Sequence, residues 1–406
     1  MGHKTAAVLD GCVAVPKTEA MRAFGERRWA GVGGSSDLDS RRAALAAATA
    51  ALAGDDPRLL LVFGSARYDP EAVLAGVGEV AGGVPLIGCS STRVVGGHDL
   101  VVVALGGPGL SAVTAAAPHA AADRRAAGSA VAACAVDPGD RPHHVLIMLT
   151  DGVTPGQEEI LAGAYAMVGA SVPMVGGAAS PDAYAGRTFQ LHGDQVLTDG
   201  VVGALLSSDG PLGIGLRHGW RKVGEPMIVT KSSGGDVHTL DDRPALTAYL
   251  DRLGAPAAAY EDPAAFETFA QVRPIGIRRR SGEEVRGVSS PGMFGSGGLR
   301  SSGEVPEGGL VWPMEGDERS VLDSAADACR DAVAALEGVP PLALLTFDCE
   351  SRGRLLGDEG VRAELARMTG EVPGVPVGGP YTWGEICRTR GINGFHNQTL
   401  VVLAVG

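Results

Sequence analysis

A chain of 406 residues with 45% hydrophobic residues exceeds one ordinary core and predicts two domains or three. Its formal charge of −13 argues against a nucleic-acid partner, whose phosphates select clustered lysine and arginine. No apolar run reaches the roughly 18 residues a membrane span needs, so no membrane partner is expected.

Residues 1–28 read as a lead-in without a secretory apolar segment, and a cytoplasmic location is expected. From Trp29 the pattern tightens. Asp39 precedes Leu45, Ala48, Thr49 and Leu52 at helical spacing, with Gly54 as the stop. Asp69-Pro70 caps a second helix through Val73, Val77 and Val80, ending at Gly82-Gly83. His143-His144 reads as a surface turn before a strand. Thr154 and Gln157 have capping-box spacing and open a third helix through Ile160, Ala164 and Met167. The turn cluster Ser207-Ser208-Asp209-Gly210-Pro211 leads into short glycine-rich strands around Ile214 and Ile228-Val229, and the domain boundary is placed there. Arg278-Arg279-Arg280, beside Glu283-Glu284, reads as a solvated turn, and 281–309 as successive hairpins or a long loop. An apolar stripe from Leu322 to Leu336 and a helix opened by Asp358 and stopped at Gly370 follow. Ile392-Asn393-Gly394-Phe395 carries the signature of a tight hairpin.

One phrase recurs three times: Val84-Pro85-Leu86-Ile87-Gly88, Val172-Pro173-Met174-Val175-Gly176 and Val375-Pro376-Val377-Gly378-Gly379. Each copy follows a buried-looking strand and a helical stretch, and each precedes another apolar run. The expected class is therefore α/β, two modules built from repeated strand–helix–strand units with mixed sheets. Gly88, Gly176 and Gly378 are expected at comparable strand ends. Alanine and glycine richness is read as reflecting the coding genome as much as any structural demand, and carries little weight.

Six cysteines without paired spacings predict neither a disulfide framework nor a structural metal site, and suggest a reducing compartment. Cys134 and Cys329 read as packing residues. Cys89 and Ser90 close a repeat strand and are candidate ligand contacts. The richest group is C-terminal. Cys349 and Arg352 follow one buried strand, Tyr381, Trp383 and Glu385 follow another, and His396 and Asn397 precede the last. Ligands in open α/β sheets sit outside the carboxyl ends of strands, so these residues are expected to share a pocket. Arg352 would grip a carboxylate bidentately, Glu385 would receive an amine, and Tyr381 and Trp383 would form apolar walls. An Arg–Glu pair that merely ties two loops together is the structural alternative.

The sequence resembles FIST-domain proteins, with an N-terminal and a C-terminal module. Trp29-Ala30-Gly31-Val32-Gly33-Gly34, Leu60-Leu61-Val62-Phe63, Pro85 to Ser91 and Val175 to Ser180 carry the first. Leu240 to Leu246, Cys349 with Arg352, Gly384-Glu385-Ile386 and His396-Asn397-Gln398-Thr399 carry the second. The predicted division is residues 29–215 and 216–406. The resemblance implies a sensory, small-ligand-binding role in bacterial signal transduction, the ligand an amino acid or related metabolite. A chain of this length leaves no room for a fused output domain, so output is expected through a partner such as a histidine kinase or cyclic-dinucleotide enzyme. No cofactor is expected. Two alternatives stay open: a thiol-dependent enzyme using Cys349 or Cys89 with His396 as base, and a haem-based nitric oxide sensor with His396, His192 or His238 as axial ligand.

Overall fold

The computed structural model describes residues 27–181, 186–279, 282–290, 292–389 and 394–406. The Asn393 hairpin and Arg280 of the basic run lie outside the described residues.

Strand Pro57–Gly64 leads through helix Pro70–Ala81 to strand Leu86–Ser90, which pairs with it in parallel. Parallel neighbours need such a crossover, because no tight turn can join them. Strand Leu100–Gly106 returns antiparallel on the other edge of Pro57–Gly64, and Trp29–Ser35 pairs beyond it. The same pairing order holds in two further sheets. One has His143–Asp151 beside Met174–Ala179, with Val201–Ser208 and Leu110–Ala117 outside. The other has Ala343–Cys349 beside Val377–Gly378, with Leu400–Val405 and Leu212–Arg217 outside. The fold is α/β with mixed sheets.

Strand residues alternate faces, so each sheet serves two cores. Leu59, Leu61 and Phe63 meet Val145, Ile147 and Leu149 and Ala343, Leu345 and Phe347 in one central core. There Phe63 and Phe347 pack edge to face at 6.3 Å. On the outer faces Leu60 and Val62 lie under helix Ser40–Ala51, Leu146 and Met148 under Gln157–Val168, and Leu344 and Val402 under Glu318–Ala334. The alanines thereby acquire a structural role. Ala43, Ala44, Ala47, Ala48 and Ala51 are all fully buried, and their small size lets the helix lie close to its sheet.

The phrase glycines are defined by close approach. A Cβ at Gly88 would fall 2.2 Å from the Val62 carbonyl oxygen, and at Gly176, where φ is +143°, 1.8 Å from that of Met148. In the third copy the corresponding contact belongs to Gly379, 1.8 Å from the Thr346 oxygen, and not to Gly378. Counting from the valine gives the same correction, since Gly88, Gly176 and Gly379 stand at one offset. Gly88 and Gly176 sit within their strands rather than at the ends.

Several local expectations hold. Helices Ser40–Ala51 and Pro70–Ala81 are N-capped by Asp39 and Asp69. Others change. Helix Gln157–Val168 has Gly156, at φ +82°, as its N-cap without a side-chain bond. Thr154 is not part of a capping box, because Gln157 turns inward to donate to the Asp151 and Thr154 carbonyls. His143 and His144 open a strand, with His144 Nδ1 at 2.9 Å from Ser207 Oγ. The helix expected from Asp358 to Gly370 is present, and a break at Gly357 (φ +63°) separates it from a preceding helical segment that starts at Glu350.

In the first two sheets a few residues join the outermost strand to its helix. In the third, residues 218–317 fill that connection with their own antiparallel sheet, including Met227–Ser233, Ile275–Arg279 and Leu310–Glu315. Helices Ala245–Arg252 and Pro263–Ala270 cover it, and its core gathers Val229, Leu246, Tyr249, Phe266 and Ile277. Asp241 and Asp242 both adopt positive φ (+50° and +59°) at the turn before Arg243, a conformation aspartate tolerates.

Candidate functional site

Strand Ala343–Cys349 ends against this inserted unit, and a cavity of about 580 Å³ opens at the junction. Cys349, Glu350, Thr382, Asn397 and Gln398 form its floor side, while Glu267, Gln271, Arg300 and Ser302 come from the insert. Trp383, 42% exposed, stands at the rim.

Cys349 closes its strand and precedes the first turn of helix Glu350–Glu371. Its amide donates to the Thr399 carbonyl at 3.1 Å, and Thr382 lies opposite in parallel register. These two threonines also hold Glu385. Thr382 Oγ1 donates to Glu385 Oε1 at 2.9 Å, and Thr399 donates to Oε2 from its amide at 3.0 Å and its hydroxyl at 2.9 Å. Glu385 therefore lies behind Cys349, close enough for its charge to act on the thiol. Burial pushes the Glu385 carboxyl up to about 7, against the opposing pull of these donors. Burial, reinforced by the Glu385 charge, raises the Cys349 thiol above its ordinary value.

Two acceptors on the wall are unfilled. Glu350 is buried between two arginines: its Oε1 receives Arg354 Nε at 3.3 Å and lies 3.6 Å from Arg93 Nε, while its Oε2 has no hydrogen-bond partner. Burial raises this carboxyl too. Gln398, buried at φ +55°, donates through Nε2 to the Gln271 carbonyl at 3.3 Å while its Oε1 is unpaired. Asn397 Oδ1 accepts from Ser302 Oγ at 2.7 Å and so ties the floor to the insert.

Of the residues singled out in sequence, Cys349, Trp383 and Asn397 line this cavity. Arg352 lies behind the floor with no exposure. Its Nε reaches Asp348 at 2.7 Å, one terminal nitrogen reaches Glu364 at 2.7 Å, and the other reaches the His218 carbonyl and Ser324 Oγ. Tyr381 is buried in the same network, donating to Glu364 Oε2 at 2.7 Å. The arginines on the wall are Arg354 and Arg300. His396 bonds through Nε2 to the Cys387 carbonyl at 3.0 Å, and burial, aided by Arg286, lowers it to about 4. Cys89 belongs to the central core, and Ser90 Oγ donates to the Ser180 carbonyl at 3.2 Å. His192 faces Thr114, and His238 lies in strand Asp236–Leu240. Sequence reasoning missed Glu350, Arg354 and Gln398. Glu350 lies between Cys349 and Arg352, Arg354 follows two residues after Arg352, and Gln398 sits inside the quoted His396–Thr399 segment. The insert residues carry no local signal.

A FIST N domain model matches residues 58–243, and a FIST C domain model matches residues 245–388. The chain belongs to the FIST family. FIST domains are associated with sensory roles in signal transduction. The cavity of this FIST protein draws on residues inside the C-domain match and, through Asn397 and Gln398, on residues just beyond it. Uncharacterized proteins MT0656 and Rv0628c, from two strains of Mycobacterium tuberculosis, are each 28% identical over 387 residues, covering 91% of this chain and 97% of theirs. Uncharacterized protein MJ1623 of Methanocaldococcus jannaschii is 34% identical over 87 residues, covering 20% of this chain and 16% of its own. Among the described residues no helix is long and apolar enough to cross a membrane.

Proposed function

We propose that the protein is a cytoplasmic sensory protein that binds a small amine-bearing metabolite, such as an amino acid, in the cavity at Cys349. Its output passes through a partner protein, with a histidine kinase or cyclic-dinucleotide enzyme as the expected class. The observation that carries this reading is the unpartnered Oε2 of buried Glu350 on the cavity wall. A buried carboxylate oxygen without a donor costs about 1–3 kcal/mol or more, and a ligand ammonium would remove that cost. Gln398 Oε1 offers a second acceptor. A ligand carboxylate would find Arg354 and Arg300 on the same wall. The volume of about 580 Å³ suits a small metabolite with ordered water.

A thermal-shift screen of amino acids and simple amines, beside mass spectrometry of co-purifying small molecules, tests the reading. A ligand at a hundred times its dissociation constant should stabilise the fold by about 2.7 kcal/mol. Glu350→Gln should weaken that response. Stabilisation by no amine-bearing compound, or an unchanged response in Glu350→Gln, would refute the assignment.

A further inference from the structure

We propose that Cys349 is a nucleophile toward the carbonyl of a small amine-bearing ester or amide, with Glu385 as the group that takes its proton. The inference rests on the binding reading above, because it places the acyl compound in the same cavity. Three independent observations converge. Cys349 is on the cavity wall, whereas Cys89, Cys329 and Cys387 are enclosed in cores away from it. Glu385 is fixed directly behind it by Thr382 and Thr399, the two residues that also flank Cys349 through register and its amide bond. The unfilled acceptors of Glu350 and Gln398 mark where the amine of the acyl compound would sit.

The polar surroundings suit the step. The backbones of Ser351 and Gln398 offset part of the burial at the Cys349 sulfur, so charge developing on that sulfur meets two nearby dipoles. The resting thiol is protonated, since burial raises it, and it needs a base within reach. Glu385, held near about 7, is divided between acceptor and donor forms at neutral pH.

As the sulfur bonds to the carbonyl carbon, the thiol proton passes to Glu385. The tetrahedral adduct collapses, the carbon–oxygen or carbon–nitrogen bond breaks, and the alcohol or amine leaves with a proton taken from a water in the open cavity, which becomes hydroxide. A thioester remains on Cys349. That hydroxide attacks the thioester, the carbon–sulfur bond breaks, and the Cys349 thiolate takes its proton back from Glu385 as the free acid leaves. Overall, ester or amide plus water gives acid plus alcohol or amine.

The test uses the full chain and glycine para-nitrophenyl ester. The expected result is a burst of about one nitrophenolate per protein, with a glycyl group on the Cys349 peptide by mass spectrometry. Cys349→Ala should show no burst, Glu385→Gln should acylate about 100-fold more slowly or worse, and Cys134→Ser should match the unaltered chain. The mass measurement on the unaltered protein stands even if the Glu385 variant folds poorly. Glycyl groups found elsewhere, a burst that survives Cys349→Ala, or no acylation at all would each overturn the proposal. A thermal shift of Cys349→Ala with glycinamide separates the two readings. Stabilisation there without acylation of the unaltered chain overturns the covalent step and keeps the binding site. Absence of stabilisation in both proteins overturns the binding reading and this one with it.

Discussion

Arg352 donates to Glu364 at 2.7 Å across the break at Gly357, with neither side chain exposed. The pair ties the first turns of helix Glu350–Glu371 to the remainder and to Asp348 on the strand before it. A guanidinium suits this position because its planar fork serves both carboxylates, a hydroxyl and a carbonyl at once.

Arg352→Lys should therefore destabilise the protein by about 3–5 kcal/mol, since a point charge leaves part of a buried ionic network unpaired. Urea unfolding measures the loss. Affinity of the folded variant for a cavity ligand should be unchanged, because Arg352 does not line the wall.

Glu385 and His396 should give opposite pH dependences. The Glu385 carboxyl moves from 4.5 to about 7 on folding, so its contribution is present at low pH and is lost as pH rises through about 7. His396 moves from 6.5 to about 4, so its contribution is lost as pH falls from 6.5 through about 4. Unfolding free energies measured across this range should show that Glu385→Gln loses less stability than the unaltered chain as pH rises toward 7. His396→Gln should lose less as pH falls. Arg286, Glu284 and His218 act on His396 and should remain in place for the comparison.

Two glycine substitutions should part in sign. Gly176→Ala puts a Cβ 1.8 Å from the Met148 oxygen at φ +143°, and should cost more than about 3 kcal/mol or prevent folding. Gly78→Ala, in helix Pro70–Ala81 with nothing within 4 Å, should stabilise by up to about 1 kcal/mol. Thermal unfolding distinguishes them.

Asp317 and Ser320 form a reciprocal capping box at helix Glu318–Ala334, with bonds of 2.7 and 3.0 Å. Asp317→Ala should cost about 1 kcal/mol, read by the same unfolding assay.

What the sequence determined by itself was local. Asp39 and Asp69 announced helix starts because a short side-chain acceptor satisfies the first free amides. The strands at 59–63, 145–149 and 343–347 were legible because burial on both faces demands unbroken apolar runs. The phrase glycines were visible as a pattern, and the offset from the valine selects Gly379 over Gly378, in agreement with its contact with Thr346. Tertiary structure decided everything that depends on distant partners. Arg352 and Arg354 are two residues apart, yet one is enclosed by Asp348 and Glu364 while the other faces the cavity. Glu267 and Arg300 reach the cavity only because residues 218–317 fold back over the end of the third sheet. Glu385 stands behind Cys349 because Thr382 and Thr399, from two other strand ends, hold it there. Sequence spacing specifies which face a side chain takes within its own element, but which charge or carbonyl it meets is set by how the elements pack.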